Sequence, residues 1–572
     1  MKRATISLLI FAAAPVWGQM TPDQKAADFS QLAATYAINY GPLEWKLNLL
    51  NFDLRDISGW LSKAAQTQDD LDFYELCVSY VSSLNDAHDA FILPSDFYAQ
   101  MLFRADLYEG KVIIDQVDRS LSRSGLSVRV GDELVSIDGV AAGDLIQSLT
   151  KYAVAANDRS TARIAADYLA YRDQSIMPHA HLTPDVSTVV VNRAGSSQTF
   201  LVPWVKSGTP ITVVGPVISP HANSAAPVQA SPKTEAAPNP LSPLKALRQM
   251  KVPGRKFVVG FGATAPVFQL PAGFITRVGG SQFDFFYSGT YQAQGHTIGY
   301  LRIPTFEYLP QDQLQSEIDY MQQSTDGLIL DVMRNPGGDA CVAEDLMTRM
   351  IPHPFQSIGL EIRATWFWLQ AYRQAYQDAI DYDEPADVVA QLKDLVQQVT
   401  AAYLTPSGRT GPLPVCESTL NLQPASDPTR GVIAYTKPIM MLVDELSASA
   451  AELFAAAMQD NQRAILFGMR TMGAGGNVDQ FPVTSYSYGT AYLTESLMHR
   501  LNTVNTPDYP AAPYVENIGV RPEVVMDYMT VDNLTNRGAT FVQGFTDAMV
   551  RYLETGSVPR TAGADPLVSL PQ

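Results

Sequence analysis

The chain is poor in cysteine, in basic residues and in long apolar runs, and each shortage closes off a class of protein. Three cysteines in 572 residues (Cys77, Cys341 and Cys416) must leave one unpaired, so a small disulfide-framed scaffold is excluded. None of them stands in a C-x-x-C or His-rich setting, which removes a zinc module. Lys and Arg total 40 against 58 Asp and Glu, a formal charge of −18. A surface that acidic argues against nucleic acid or anionic membrane as a standing partner, and leaves room only for a locally basic groove. The longest apolar stretch, Ile6 to Val16, falls well short of the ~20 residues a membrane-spanning helix needs. What is present in quantity is core-forming material. The chain is 46% hydrophobic and 10% aromatic, too apolar for disorder and long enough for two to four domains.

The first residues set the expected compartment. Lys2 and Arg3 precede the apolar run, and Val16-Trp17-Gly18 offers small residues at the −3 and −1 positions of a cleavage site. That is the pattern of a signal peptide over 1–18, and the expected protein is secreted or periplasmic, without stable membrane insertion.

Residues 19–100 read as a helical domain, with apolar positions at three and four spacings through Phe29, Leu32 and Tyr36 and again through Leu71, Tyr74 and Val78. Over 101–205 the texture changes to short strands with a helical insertion at about 160–174. Gly125-Leu126, Gly131-Asp132-Glu133-Leu134 and Ile137-Asp138-Gly139 resemble the centre of a PDZ domain. Residues 206–256 hold nine prolines among Ala, Ser and Asn, composition expected of an open linker that proteases cut readily. From 257 to 545, continuous apolar strands such as GLILDVM and IMMLVDE alternate with helices. That predicts an α/β core with a mainly parallel sheet, interrupted by a helical insertion over about 369–402 that could form an outer wall or lid. Residues 546–572 are expected to be a tail.

Two segments of that core carry chemistry. In KPIMMLVDELSASAAELFAAAMQD a buried strand ends at Asp444 and Ser447-Ala448-Ser449-Ala450 opens a helix. A serine there sits where free N–H groups and the positive end of the helix dipole can stabilise an oxyanion. The same run also reads as a plain N-cap with small packing residues. In DGLILDVMRNPGGDA, Gly337-Gly338 follows a buried strand, letting backbone approach a ligand and present N–H groups.

Together these motifs resemble the tail-specific (C-terminal processing) and tricorn-type serine proteases, over more than half of the chain. The resemblance implies that Ser449 is the nucleophile and that the N–H groups of Gly337, Gly338 and Ala450 form the oxyanion hole. It places Asp460 on an aspartate of the tail-specific branch. That branch takes its base from a lysine, but this position is Ala474 in Thr471-Met472-Gly473-Ala474-Gly475-Gly476, which cannot accept a proton. The tricorn-type branch takes a histidine from a Leu-x-Asp-x-His-x-x-Phe stretch, matched by Leu84-Asn85-Asp86-Ala87-His88-Asp89-Ala90-Phe91. By the same resemblance Glu516, ahead of Gly519-Val520-Arg521-Pro522, orients His88, with Glu523 as the alternative. It also implies that self-cleavage within 206–256 accompanies activation. Cys341, three residues past Gly338, is expected to be a buried structural cysteine rather than a nucleophile.

The expected protein is therefore an α/β protease core with an N-terminal helical domain and a PDZ-like β domain. It would act as a serine endopeptidase on protein or peptide substrates through His88, Ser449 and Glu516, with no metal and no organic cofactor. Assembly into a homo-oligomer is left open. The alternative is a catalytically inactive ligand- or peptide-binding protein on the same scaffold.

Overall fold

The computed structural model describes residues 19–50, 53–123, 126–215, 239–251, 259–406, 408–558 and 561. The expected signal peptide, 1–18, lies outside the described residues. Four helices open the chain: α1 (Pro22–Asn39), α2 (Leu43–Leu50), α3 (Ser58–Gln66) and α4 (Asp70–Ser82). Thr21 and Gln24 close a capping box on α1, with Pro22 in its first turn. Phe29 and Tyr36 pack against Tyr80 of α4 with ring centroids 5.0 and 6.4 Å away. The short strand β1 (Ala90–Ile92) then pairs antiparallel with Thr490–Thr494, so the segment just after His88 is stitched to a distant part of the chain.

A five-strand path through Phe103–Tyr108, Lys111–Val117, Glu133–Ile137, Val186–Arg193 and Ser196–Pro203 forms the PDZ-like sheet, with Val140–Ala141 off its third strand. The helical insertion is α5 (Asp158–Asp167), N-capped by Asn157. It is shorter than the sequence suggests, because Tyr171–Asp173 is already a strand.

The linker reading of 206–256 fails for its described second half. Leu241, Leu244, Leu247 and Met250 are buried in the main core; Leu244 and Leu247 sit on a 3-10 turn, Ser242–Arg248, with Leu241 before it and Met250 in β2 (Gln249–Lys251) after it. A spacing of three is the period of that helix, so Leu244 and Leu247 share one face. Residues 216–238 and 252–258 lie outside the described residues.

The core sheet runs Ile275–Val278, Tyr287–Ala293, His296–Arg302, Gly327–Asp331 (β3), Ile439–Val443, Ala464–Gly468 and Val524–Val525. The first three strands are antiparallel and the rest parallel. After β3 come β4 (Gly337–Asp339) and α6 (Ala340–Met350). Further on, β5 (Ile439–Val443) is followed by α7 (Ala450–Asp460). Every residue of β3 and β5 is buried, as strands covered on both faces require. The insertion expected as an outer wall or lid is two helices, Trp366–Asp381 and Ala386–Tyr403. Trp368, Tyr372, Leu392 and Val399 fix them into the main core as a wall. The expected tail begins inside a helix, Ala539–Thr555, whose Met549 and Val550 are core residues. Cys341 and Cys416 form a disulfide, and Cys77 is free and buried.

Candidate active site

β3 and β5 are parallel neighbours, and the loops leaving their carboxyl ends meet, the usual place for a site in an open α/β sheet. The loop after β5 is held by bonds to its own neighbourhood. Ser447 N–H donates to Asp444 O (2.9 Å) and Ser447 Oγ to Val332 O (2.8 Å). Ala448 N–H donates to Asn335 O (2.9 Å) and Arg334 N–H to Asp444 Oδ1 (2.8 Å). Ser449 turns at φ 60°, ψ −117° before α7 begins, a strained backbone for a non-glycine residue. One turn into α7, the Glu452 carboxylate accepts from Ser449 N–H (3.0 Å), Thr471 Oγ1 (2.5 Å), Gly473 N–H (2.6 Å) and Ala474 N–H (2.7 Å). Burial pushes Glu452 up to about 7 against the pull of those donors.

The loop after β3 supplies the glycines. Gly337 and Gly338 take φ 95° and 150°, which an L side chain rarely adopts. A Cβ on Gly337 would stand 2.2 Å from Met250 O, 2.8 Å from Ser449 Cβ and 2.9 Å from Ala450 N. Gly337 therefore touches both the serine and the first N–H of α7. Its own N–H is already donated to Asn335 Oδ1 (2.8 Å). In this conformation that N–H is not free for an oxyanion, against the expectation for Gly337. Gly338 is flanked by Phe306 on one side and by Met250 of β2, its antiparallel partner, on the other.

His88 arrives from the N-terminal domain. Asp86 Oδ1 accepts the His88 backbone N–H (3.0 Å) and Thr494 Oγ1 (3.0 Å), while Asp86 Oδ2 accepts Tyr40 Oη (2.9 Å). His88 Nε2 lies 2.7 Å from Ser449 Oγ, and both residues are buried. With the ring proton on Nδ1, Nε2 accepts the serine hydroxyl.

Glu516 is buried in the same region. Its Oε1 is 2.5 Å from Lys46 Nζ and its Oε2 accepts Gly475 N–H (3.0 Å). Burial and the Asp86 carboxylate push the Glu516 carboxyl up, while the Lys46 ammonium and the Gly475 N–H draw it back. The alternative, Glu523, is engaged elsewhere, with Gln459 Nε2 (2.9 Å) and Leu466 N–H (2.8 Å). Asp460 closes the far end of α7 and pairs with Arg500. Cys341 is consumed by its disulfide. Ala474 packs in the apolar cluster that holds Ala87, Ala448 and Met472.

Sequence reasoning missed the residues that join these parts. Lys46 lies in LEWKLNLL, where a lysine reads as solvated, yet it is 1% exposed. From the PDZ-like domain, Asn157 Nδ2 donates to Met472 O (2.7 Å) and Ser160 Oγ to Glu445 O (2.7 Å). Arg159 and Arg163 both reach Glu445 Oε1, at 2.7 and 3.1 Å, and Arg163 also pairs with Asp106 (2.6 Å). The two arginines hold Glu445 down at about 2 despite its burial. α5 thus braces the turn that carries the serine. Among the described residues, one group could hold a metal ion, Asp69, Asp72 and His179, and it shares no residue with the site.

Residues 297–525 match peptidase family S41 and residues 98–208 match a PDZ domain. The chain carries a peptidase family S41 domain and is a serine-type peptidase. Ser449, both glycines and Glu516 fall inside the peptidase match, and His88 precedes both matches. A Chlamydia pneumoniae protein is 23% identical over 606 residues, spanning 95% of the peptidase and 93% of its own length. Carboxyl-terminal-processing peptidase 3, chloroplastic, of Arabidopsis thaliana is 24% identical over 239 residues, 41% of the peptidase and 33% of its own chain. The crystal structure of mature CPAF, the chlamydial protease-like activity factor, superposes with a TM-score of 0.74 at 20% identity, covering 94% of the peptidase and 99% of that chain. That likeness establishes the shared fold.

Proposed function

We propose that the protein is a secreted or periplasmic serine endopeptidase working through Ser449, His88 and Glu516. Ser449 Oγ attacks a peptide carbonyl while His88 Nε2 takes its proton and returns it to the leaving amine. The N–H groups of Ala450 and Gly338 hold the oxyanion, and the Glu516 charge favours the imidazolium form. The observation that carries the reading is the 2.7 Å contact between His88 Nε2 and Ser449 Oγ. Imidazole titrates near neutral pH and suits both halves of the transfer, so the alanine at 474 costs this site no base. The 1–18 pattern supports export, as does a disulfide, which persists in oxidising compartments.

β2 lies on the glycine strand, with Met250 opposite Gly338. A substrate strand reaching Gly338 must take its place, which supports the reading that processing within 206–256 accompanies activation. The experiment is hydrolysis of an unstructured protein substrate, with fluorophosphonate labelling, by the wild type and by Ser449→Ala. Labelled, active wild type and an inert Ser449→Ala support the peptidase. A wild type that neither labels nor cleaves, before or after nicking in 206–256, would favour the binding protein.

A further inference from the structure

We infer that Asn517 and Lys46 are positioning residues that hold the His88 loop in register with the serine. The inference rests on the proposed reading of Ser449 and His88 as the reacting pair. Asn517 follows Glu516, is fully buried and takes φ 63°, a conformation asparagine tolerates better than most residues. Its side chain uses its full hydrogen-bonding capacity. Nδ2 donates to Asn85 O (2.9 Å) and Ala156 O (2.9 Å), and Oδ1 accepts Trp45 Nε1 (2.9 Å) and Lys46 Nζ (2.8 Å).

Those four partners come from three separate parts of the chain. Asn85 starts the His88 loop in a left-handed turn at φ 49°. Ala156 leads into α5 of the PDZ-like domain, and Trp45 and Lys46 belong to α2. Lys46 completes the clamp, because its ammonium also donates to Asn85 O (2.8 Å) and to Glu516 Oε1 (2.5 Å). The Asn85 carbonyl is thus gripped by two donors, three residues ahead of the histidine. Only a planar amide supplies two donors and two acceptor sites in this space. Aspartate has the same shape and no donor. A loop displaced by about 1 Å is enough to cost on the order of a hundredfold in rate.

The charged and titratable groups around this clamp include Asp86, His88 and Asp89 of the loop, Glu516, Tyr40 after α1, and Arg470, which donates to Asn517 O (2.6 Å). Lys46 is the cation bonded to Glu516. Replacing it should therefore change the pH dependence of turnover and not only its size.

The test compares wild type, Asn517→Asp, Lys46→Met and the surface control Lys206→Ala in two assays. Hydrogen exchange of the intact chain should show residues 84–92 opening at least tenfold faster relative to 439–460 in both clamp variants than in wild type, with the control unchanged. In steady state, kcat should fall roughly ten- to a hundredfold with KM within about twofold. The acid limb of the Lys46→Met pH profile should move, and Lys46→Arg should restore part of kcat. Unchanged exchange at 84–92, faster exchange spread evenly along the chain, or faster exchange with unchanged kcat would each overturn the inference. An inert wild type would instead overturn the reading of Ser449 and His88, and the exchange assay would still decide whether the clamp holds the loop.

Discussion

The serine and the histidine reach the same 2.7 Å contact by opposite means. The nucleophile turn is tied down mainly from within the α/β core, by Val332, Asn335 and Asp444 at the strand ends and by Glu452 of α7, with α5 bracing it from the PDZ-like domain. The histidine loop is held by Tyr40, Lys46, Thr494 and Asn517, two of them more than 400 positions away in the chain. One half of the site is built largely within one domain, and the other is a product of domain assembly. Errors in the two halves should therefore look different. A local change should stop chemistry with the fold intact, and a distant one should loosen the loop first.

The largest effect after loss of the serine or the histidine belongs to the serine half. Gly337→Ala puts a methyl group 2.2 Å from Met250 O and 2.8 Å from Ser449 Cβ at φ 95°. Labelling by a fluorophosphonate should fall by about a hundredfold or more, the scale of a reacting atom misplaced by about 1 Å, while circular dichroism stays native. Near-normal labelling would show that the glycine strand does not shape the site.

Next is the distant half. Lys46→Met leaves Glu516 buried without its cation, a change worth about 3–5 kcal/mol when a buried pair is broken. Chemical denaturation should report that loss against wild type, and a cost near zero would mean the pair is not formed in solution.

A smaller effect tests whether covalent closure matters to either half. Cys416→Ser opens a bridge between residues 75 apart and should cost about 2–4 kcal/mol. Activity at low temperature should be kept, because the disulfide anchors α6 and touches no reacting group. Loss of activity in a folded variant would mean that the glycine strand depends on it.

The smallest concerns pH. Burial lifts the Glu344 carboxyl from its usual 4.5 up to about 7. The folded state therefore binds this proton more tightly, and its contribution to stability is present below pH 4.5 and lost as pH rises through 7. Asp167 and Glu495, lifted to about 7 and about 8, act in the same direction. Melting temperature should fall from pH 5 to pH 8, and Glu344→Gln should flatten that slope without abolishing it. An unaltered slope would contradict the assignment.

The same contrast explains what could be read from the sequence. β3 and β5 are apolar on both faces, so their pattern alone marks a buried parallel sheet. The serine turn and the glycine pair are contiguous motifs whose chemistry is local. The histidine was legible through its resemblance to a family motif. Lys46 and Asn517 were not, because nothing near them in sequence shows where their hydrogen bonds go. The packing of Leu241, Leu244, Leu247 and Met250 was hidden by averaging over a proline-rich window. Its period of three, visible once the window is narrowed, carries the signal. Glu445 follows a strand with no local partner in sequence, and α5 of another domain explains its burial.

The central claim is that His88 is the base for Ser449, and the rate of fluorophosphonate labelling as a function of pH tests it most directly. In wild type the rate should rise with pH as an imidazole loses its proton and then level off. In His88→Gln it should fall by several orders of magnitude and lose that inflection. A folded His88→Gln that labels at the wild-type rate with the same inflection would contradict the account.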